Sequence, residues 1–137
     1  MKYLLDSNAV ISMLTDTRSP VRRQAQRHAV HDIGISTVVL FELYHGALKS
    51  RRADSNIARL TSLEFEVLDF EDADAWHAAE IRVFLASKGT PIGPYDLLIA
   101  GQARARALTL VTHTSPSFAA CPDFTLSIGN ARVGQNW

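Results

Sequence analysis

The order of short apolar runs and helix-period stretches predicts a three-layer α/β/α domain with a mainly parallel, about five-stranded sheet. Three observations lead there. Strand-like runs alternate with helical stretches along most of the chain, as right-handed β-α-β crossovers require. The runs are only about four to six residues long and several are rich in Leu, Ile and Val, as buried strands are. Each of the clearest runs also stops on a polar residue: Asp6, then Ser36 and Thr37, then the segment that follows Thr112.

In chain order, residues 2–5 read as a buried strand that ends on Asp6. Ser7 or Asn8 can cap the helix that continues through AVISML to about Thr15. Ser19 and Pro20 open a second helix, rich in Arg and Gln, that runs to about His31. DIGIS, residues 32–36, is the second strand, and Ser36 and Thr37 suit the N-cap of the next helix. That helix covers residues 38–50, although Gly46 in its interior costs about 1 kcal/mol relative to Ala. Residues 54–63 continue as a helix, and FEVLDF at 65–70 alternates apolar and acidic residues like a strand nearer an edge. A long helix from Asp72 to Ser87 follows, with Trp76, Ala79, Val83 and Phe84 at helical spacing and acidic residues in its first turn, where the helix dipole favours them. Gly93 and Pro94 mark the entry to another helix with Asp96 in its first turn. LTLVT, residues 108–112, is a buried strand, and FTLSI, residues 124–128, is a possible short one.

A chain of 137 residues fits one domain spanning residues 1–137. Hydrophobic and charged contents of 47% and 20% argue against wholesale disorder. The formal net charge is zero, so the total gives no footprint of nucleic-acid binding. Charge is nevertheless segregated. Arg18, Arg22, Arg23, Arg27, Lys49, Arg51, Arg52 and Arg59 fall in a stretch with few acids, whereas residues 64–80 carry Glu64, Glu66, Asp69, Glu71, Asp72, Asp74 and Glu80 with no Lys or Arg. Either solvated helix faces or a phosphate-binding surface would produce that pattern. A single Cys121, no apolar run of membrane-spanning length and no signal-peptide core before Asp6 lead to the expectation of a soluble, cytoplasmic protein.

Three carboxylates stand out. Asp6 ends a strand, and the carboxyl ends of parallel strands are where such sheets bind ligands. Glu42 lies one helical turn before Gly46, whose missing side chain opens space beside the carboxylate or lets another backbone approach; an ordinary exposed helix glutamate is the other reading. Asp96 shares a helix face with Ile99, Ala100, Ala103 and Ala107 and so points the way the core residues point, whereas an acid serving only the helix dipole could lie on any face. In a parallel α/β fold these three can converge at one sheet edge. Clustered carboxylates repel one another unless they are protonated or bridged by a cation, and hard ions such as Mg²⁺ or Mn²⁺ favour oxygen ligands. The chemistry such ions support is phosphodiester hydrolysis.

Four segments, LLDSN, STVVLFELYHGA, IGPYDLLIAGQA and LTLVTHT, resemble in order and spacing the signatures of PIN-domain ribonucleases, with the closest likeness to the VapC toxins of bacterial VapBC toxin-antitoxin pairs. The resemblance extends to about Phe118. It implies a PIN-type sheet, with Asp6, Glu42 and Asp96 as acidic metal ligands and catalytic residues. It also implies an endoribonuclease acting on RNA, of which structured RNA such as tRNA is the expected substrate, a homodimer and a VapB-like antitoxin that occupies the active site. Asn8, Thr112 and Thr114 would orient ligands or water, and arginines of the basic stretch, with Arg104, would meet backbone phosphates. Ser7 stands where the family commonly has Thr, which keeps the hydroxyl. Thr114 stands where many members have Asp or Asn, and Ser115, Pro116 and Ser117 precede Phe118 where Thr-Arg-Glu is frequent. A threonine brings no negative charge, so the alternative is a catalytically weak PIN-fold binding protein that retains the antitoxin and RNA contacts. An aspartyl-phosphate phosphatase would have a second carboxylate at residue 8, where this chain has Asn8. His45, His77 and His113 are too scattered for a zinc pattern.

Overall fold

A computed structural model describes residues 1–112, Cys121 and the backbone of Thr125–Ile128. Its strands are β1 (Tyr3–Leu5), β2 (Ile33–Ser36), β3 (Glu66–Leu68), β4 (Thr109–Thr112) and β5 (Thr125–Ile128). Its helices are α1 (Ser7–Thr15), α2 (Pro20–Ala25), α3 (Thr37–Leu48), α4 (Ala53–Thr61), α5 (Asp72–Ser87) and α6 (Pro94–Ala105). The strands form one five-stranded parallel sheet in the order β3-β2-β1-β4-β5. From β1 the chain steps outward through β2 to β3, then crosses back to β4 on the other side of β1. Right-handed crossovers therefore place α1 to α4 on one face and α5 with α6 on the other. The three layers and the parallel sheet are those the sequence predicts.

Burial grades across the sheet as its position demands. Leu4, Leu5, Leu110 and Val111 in the two central strands are fully buried, whereas Glu66 and Val67 on edge strand β3 are exposed. Each buried Leu or Val contributes about 1.5–3 kcal/mol, which is why the centre of the sheet is written almost wholly in these residues. On the other face α5 and α6 run closely together, and a Cβ at Gly101 would fall 2.6 Å from the Ala78 Cα. Only glycine permits that approach.

Three local expectations are corrected. The second helix stops at Ala25 rather than near His31, because Arg27 and His28 donate to the carbonyls of Gln24 and Ala25 in tighter turns and a 3-10 turn at Val30–Asp32 leads into β2. α5 has the expected bounds, but the residues singled out at helical spacing lie outside. Trp76 is 69% and Val83 72% exposed, while Asp74, Ala78, Ile81 and Leu85 face the core. Ala107 lies beyond the end of α6 with φ of 52° and is exposed, so the buried face there is Ile99, Ala100 and Ala103.

Candidate active site at the carboxyl edge of the sheet

The strand order reverses between β1 and β4, and at that switch point the ends of two neighbouring strands can open a crevice. Asp6 leaves β1 there. Its backbone N–H donates to the Val111 carbonyl at 3.0 Å, and one step past the Leu5–Val111 register it stands beside Thr112 at the end of β4. Asp6 rather than Ser7 or Asn8 is the N-cap of α1, with Oδ1 accepting from the Ala9 N–H at 2.8 Å. The carboxylate is thereby held in one orientation, only 3% exposed.

The neighbouring strand supplies the second carboxylate. Ser36 ends β2 and caps α3 by accepting from the Val38 N–H at 3.1 Å, so α3 starts at the same edge and carries Glu42 back over it. From the opposite direction, Gly93 and Pro94 begin α6 and place half-buried Asp96 in its first turn. The three acids feel one another. Asp6 has its pKa raised from 3.8 to about 6, chiefly by burial, with Asp96 and Glu42 pushing the same way against the Thr112 hydroxyl and the Ala9 N–H. Glu42 is raised by burial and by Asp96 against the Ser7 hydroxyl, and Asp96 is raised by burial.

Hydroxyls near these acids are poorly satisfied. Ser7 Oγ, Glu42 Oε1 and Thr112 Oγ1 are three of the four buried side-chain oxygens or nitrogens that have no hydrogen-bond partner among the described residues; the fourth is Gln102 Oε1. Thr112 and Ser7 thus lie close enough to favour the charged forms of Asp6 and Glu42 without making hydrogen bonds of regular geometry. The chemistry of this donor set, all oxygen and mostly anionic, fits a hard divalent cation. No three His, Cys, Asp or Glu side chains among the described residues are gathered closely enough to form a ready-made cage.

A family model for the PIN domain matches residues 3–118. The chain belongs to the PIN-domain family. This PIN domain is 37% identical over 120 residues to the tRNA(fMet)-specific endonuclease VapC of Shigella flexneri, an alignment covering 86% of this chain and 90% of the relative. Among solved structures it is similar to the DNA-bound VapBC of Salmonella typhimurium, with a TM-score of 0.88 and 34% identity over 94% of this chain and 98% of the other. It is similar as well to VapBC2 of Rickettsia felis bound to a promoter DNA fragment, with a TM-score of 0.85 and 30% identity over 93% and 98% of the two chains.

The remaining sequence-derived positions are distributed unevenly in the PIN domain. Asn8 is exposed in the first turn of α1, and Thr114 and His113 lie outside the described residues. Arg104 is already engaged: its Nε donates to His77 Nδ1 at 2.7 Å and it pairs with Glu80 at 2.6 Å. Beside Glu42, among the described residues and leaving aside its own stretch of helix, Gly46 has nothing within 4 Å of where a Cβ would sit, and a groove of about 270 Å³ opens there, lined by Leu14, Leu43, Ala47, Leu60 and Arg59 as well. The open space expected from Gly46 is present. Two features escaped sequence reasoning. Ser7 faces Glu42 as well as beginning α1, which its hydroxyl could have signalled. Cys121, its pKa raised to about 11 by burial and then by Asp96, had no local signal at all.

Proposed function

We propose that this chain is the toxin of a VapBC-type toxin-antitoxin pair: an endoribonuclease that hydrolyses RNA phosphodiester bonds with Mg²⁺ or Mn²⁺ and is held inactive by a VapB-like antitoxin. The observation that carries the site assignment is that Asp6 feels the charges of both Glu42 and Asp96 beside the Ser7 and Thr112 hydroxyls, which are buried and make no regular hydrogen bond among the described residues. The likeness to named VapC endonucleases supports the RNA substrate, with tRNA the first class to test. No helix among the described residues is long and apolar enough to cross a membrane, which suits a cytoplasmic target.

Asp6, Glu42 and Asp96 would hold the cation. When bound, a divalent ion supplies charge neutralisation and Lewis acidity toward the phosphate diester. The chain's own part is positioning. Asp6 is fixed by the α1 cap, so its carboxylate does not have to reorganise as substrate arrives. The Thr112 and Ser7 hydroxyls orient Asp6 and Glu42, with Asn8 at the exposed rim. The apolar groove that starts at Glu42 gives an antitoxin segment a place from which to cover the carboxylates, and the VapBC complexes among the similar structures agree with such a partner. A homodimer follows from the same family reading.

The test is incubation of purified, antitoxin-free protein with total bacterial RNA, with Mg²⁺ or Mn²⁺ and with chelator, beside Asp6→Asn and Thr114→Asp. Discrete metal-dependent fragments that vanish with Asp6→Asn are the expected result. An inert wild type beside an active Thr114→Asp would instead establish a PIN-fold binding protein that lacks one ligand.

A further inference from the structure

Each of two site carboxylates is preceded in sequence by an aromatic residue, Phe41 before Glu42 and Tyr95 before Asp96. Successive helix residues point about 100° apart, so a side chain next to an inward-facing acid lies on the rim of the same site. The rings meet there. Phe41 on α3 and Tyr95 on α6 have centroids 5.7 Å apart at 56°, and His45, one turn along α3, lies nearly parallel to Phe41 at 6.4 Å. Both rings are open to solvent, Phe41 at 53% and Tyr95 at 44% exposure.

The fold does not require them. Val39, Leu43 and Ala47 anchor α3 in the core and Leu97, Ile99, Ala100 and Ala103 anchor α6. Leaving two large rings in water beside a charged site is costly unless something covers them. Together they offer roughly 200 Å² of surface, on the scale of aromatic side chains. A stable interface between two protein copies needs about 800 Å² from each partner. A nucleobase fits better: aromatic rings hold unpaired bases by stacking, a recurring device of proteins that bind single-stranded RNA.

We propose that Phe41 and Tyr95, flanked by His45, form a stacking platform for an unpaired base of the RNA, next to the phosphate presented to Asp6, Glu42 and Asp96. This deepens the ribonuclease reading and rests on it. The platform sets which nucleotide is accepted, because a base must leave its helix to reach the rings. Neither ring touches the reacting atoms; both are positioning residues.

The experiment compares wild type with Phe41→Leu, Tyr95→Leu and Tyr95→Phe on a stem-loop RNA spanning a mapped cleavage site, with 2-aminopurine beside the scissile phosphate. Leu keeps apolar bulk and removes the π face, whereas Phe restores it. The Leu variants should raise KM roughly tenfold, the size of one base stack, with kcat nearly unchanged, and should lose the fluorescence quenching seen on binding. Tyr95→Phe should behave as wild type. Sedimentation and thermal melting are read on the same samples. Equal KM and equal quenching in the Leu variants, with wild-type cleavage normal, overturn the platform and leave the nuclease intact. Leu variants that fall from dimer to monomer assign the rings to contact between copies and overturn it as well. Quenching without any cleavage by wild type sinks the nuclease reading while the platform stands, and absence of both sinks the two together.

Discussion

Among the described residues two carboxylates are almost wholly withdrawn from water, and their surroundings are opposite. Asp74, 1% exposed at the start of α5, accepts from Arg106 through both oxygens, at 3.3 and 2.8 Å, and from the Glu71 N–H at 2.9 Å. Arg106 also donates to the Asp69 carbonyl at 2.6 Å, so one guanidinium ties the end of α6 to the turn between β3 and α5. Asp6, 3% exposed at the switch point, has no cationic partner among the described residues; it has a helix N–H, a hydroxyl and two other acids. A buried charge is tolerated when paired and costly when not. The first carboxylate holds the structure together. The second is paired only if something arrives, and the oxygens of Ser7, Glu42 and Thr112, which make no regular hydrogen bond among the described residues, say the same. The orphan near the other cluster, Gln102 Oε1, is an uncharged amide oxygen whose Nε2 donates to the Asp69 carbonyl at 3.0 Å.

Exchanging the two acids' roles by mutation is the sharpest way to break this contrast. Asp6→Asn keeps a residue that caps α1 well, so the fold should survive. Cleavage of RNA should nevertheless fall by roughly 1,000-fold, beyond the 10- to 100-fold typical of residues that only support a ligand. Initial rates at saturating Mg²⁺ with equal folded protein decide it; a loss under fivefold would remove Asp6 from the site. Arg106→Leu should do the reverse. It strands a buried carboxylate, a change that costs about 3 kcal/mol, the lower end of the usual range because the Arg106 side chain is 27% exposed. Urea denaturation reads that loss, and cleavage per folded molecule should stay at the wild-type level.

The contrast also explains what the sequence could and could not reveal. Asp6 was legible because a strand followed at once by a helix places its last residue at a sheet edge, and the edge is a property of local order. The strands themselves were legible for the same reason, down to β3 at the edge. Asp74 reads from the sequence as a helix-dipole acid because its partner lies 32 residues away, and a long-range pair leaves no local pattern. The same blindness turned α5 around. Periodicity marks a helix and its faces, but Trp76, Val83 and Phe84 look more like a core than Ala78, Ile81, Leu85 and a buried aspartate do. The site's three acids were nameable from the sequence; their mutual repulsion and the hydroxyls beside them needed the fold.

Titration tests the unpaired side of the contrast. An acid whose folded pKa lies above its unfolded value binds its proton more tightly in the folded chain. Its contribution to stability is therefore present below the unfolded value of 3.8 and lost as pH rises through about 6. For Asp6 that loss is on the order of 2–3 kcal/mol without metal. In chelator, the stability of wild type relative to Asp6→Asn should decline from pH 4 to pH 7, and saturating Mg²⁺ should restore it at the upper end. Parallel profiles for the two proteins would mean that Asp6 is not strained by its surroundings.

The smallest expected effect is the most discriminating for the idea that incompleteness at this edge serves function. Thr112→Val removes a buried hydroxyl that has no regular hydrogen-bond partner among the described residues, in a side chain of nearly the same shape on β4. If that oxygen were structural, its loss would destabilise the sheet. The desolvation cost of this hydroxyl is offset only by what it gives the Asp6 carboxylate, so its replacement should leave stability within about 1 kcal/mol of wild type. Its work lies in orienting Asp6 and favouring the charged carboxylate. Cleavage should therefore fall about tenfold, and the acid limb of the pH-rate profile should shift upward as Asp6 holds its proton more tightly. Denaturation and pH-rate curves on one preparation give both answers, and a variant equally active but less stable would place Thr112 with Asp74 among the residues that merely hold the fold.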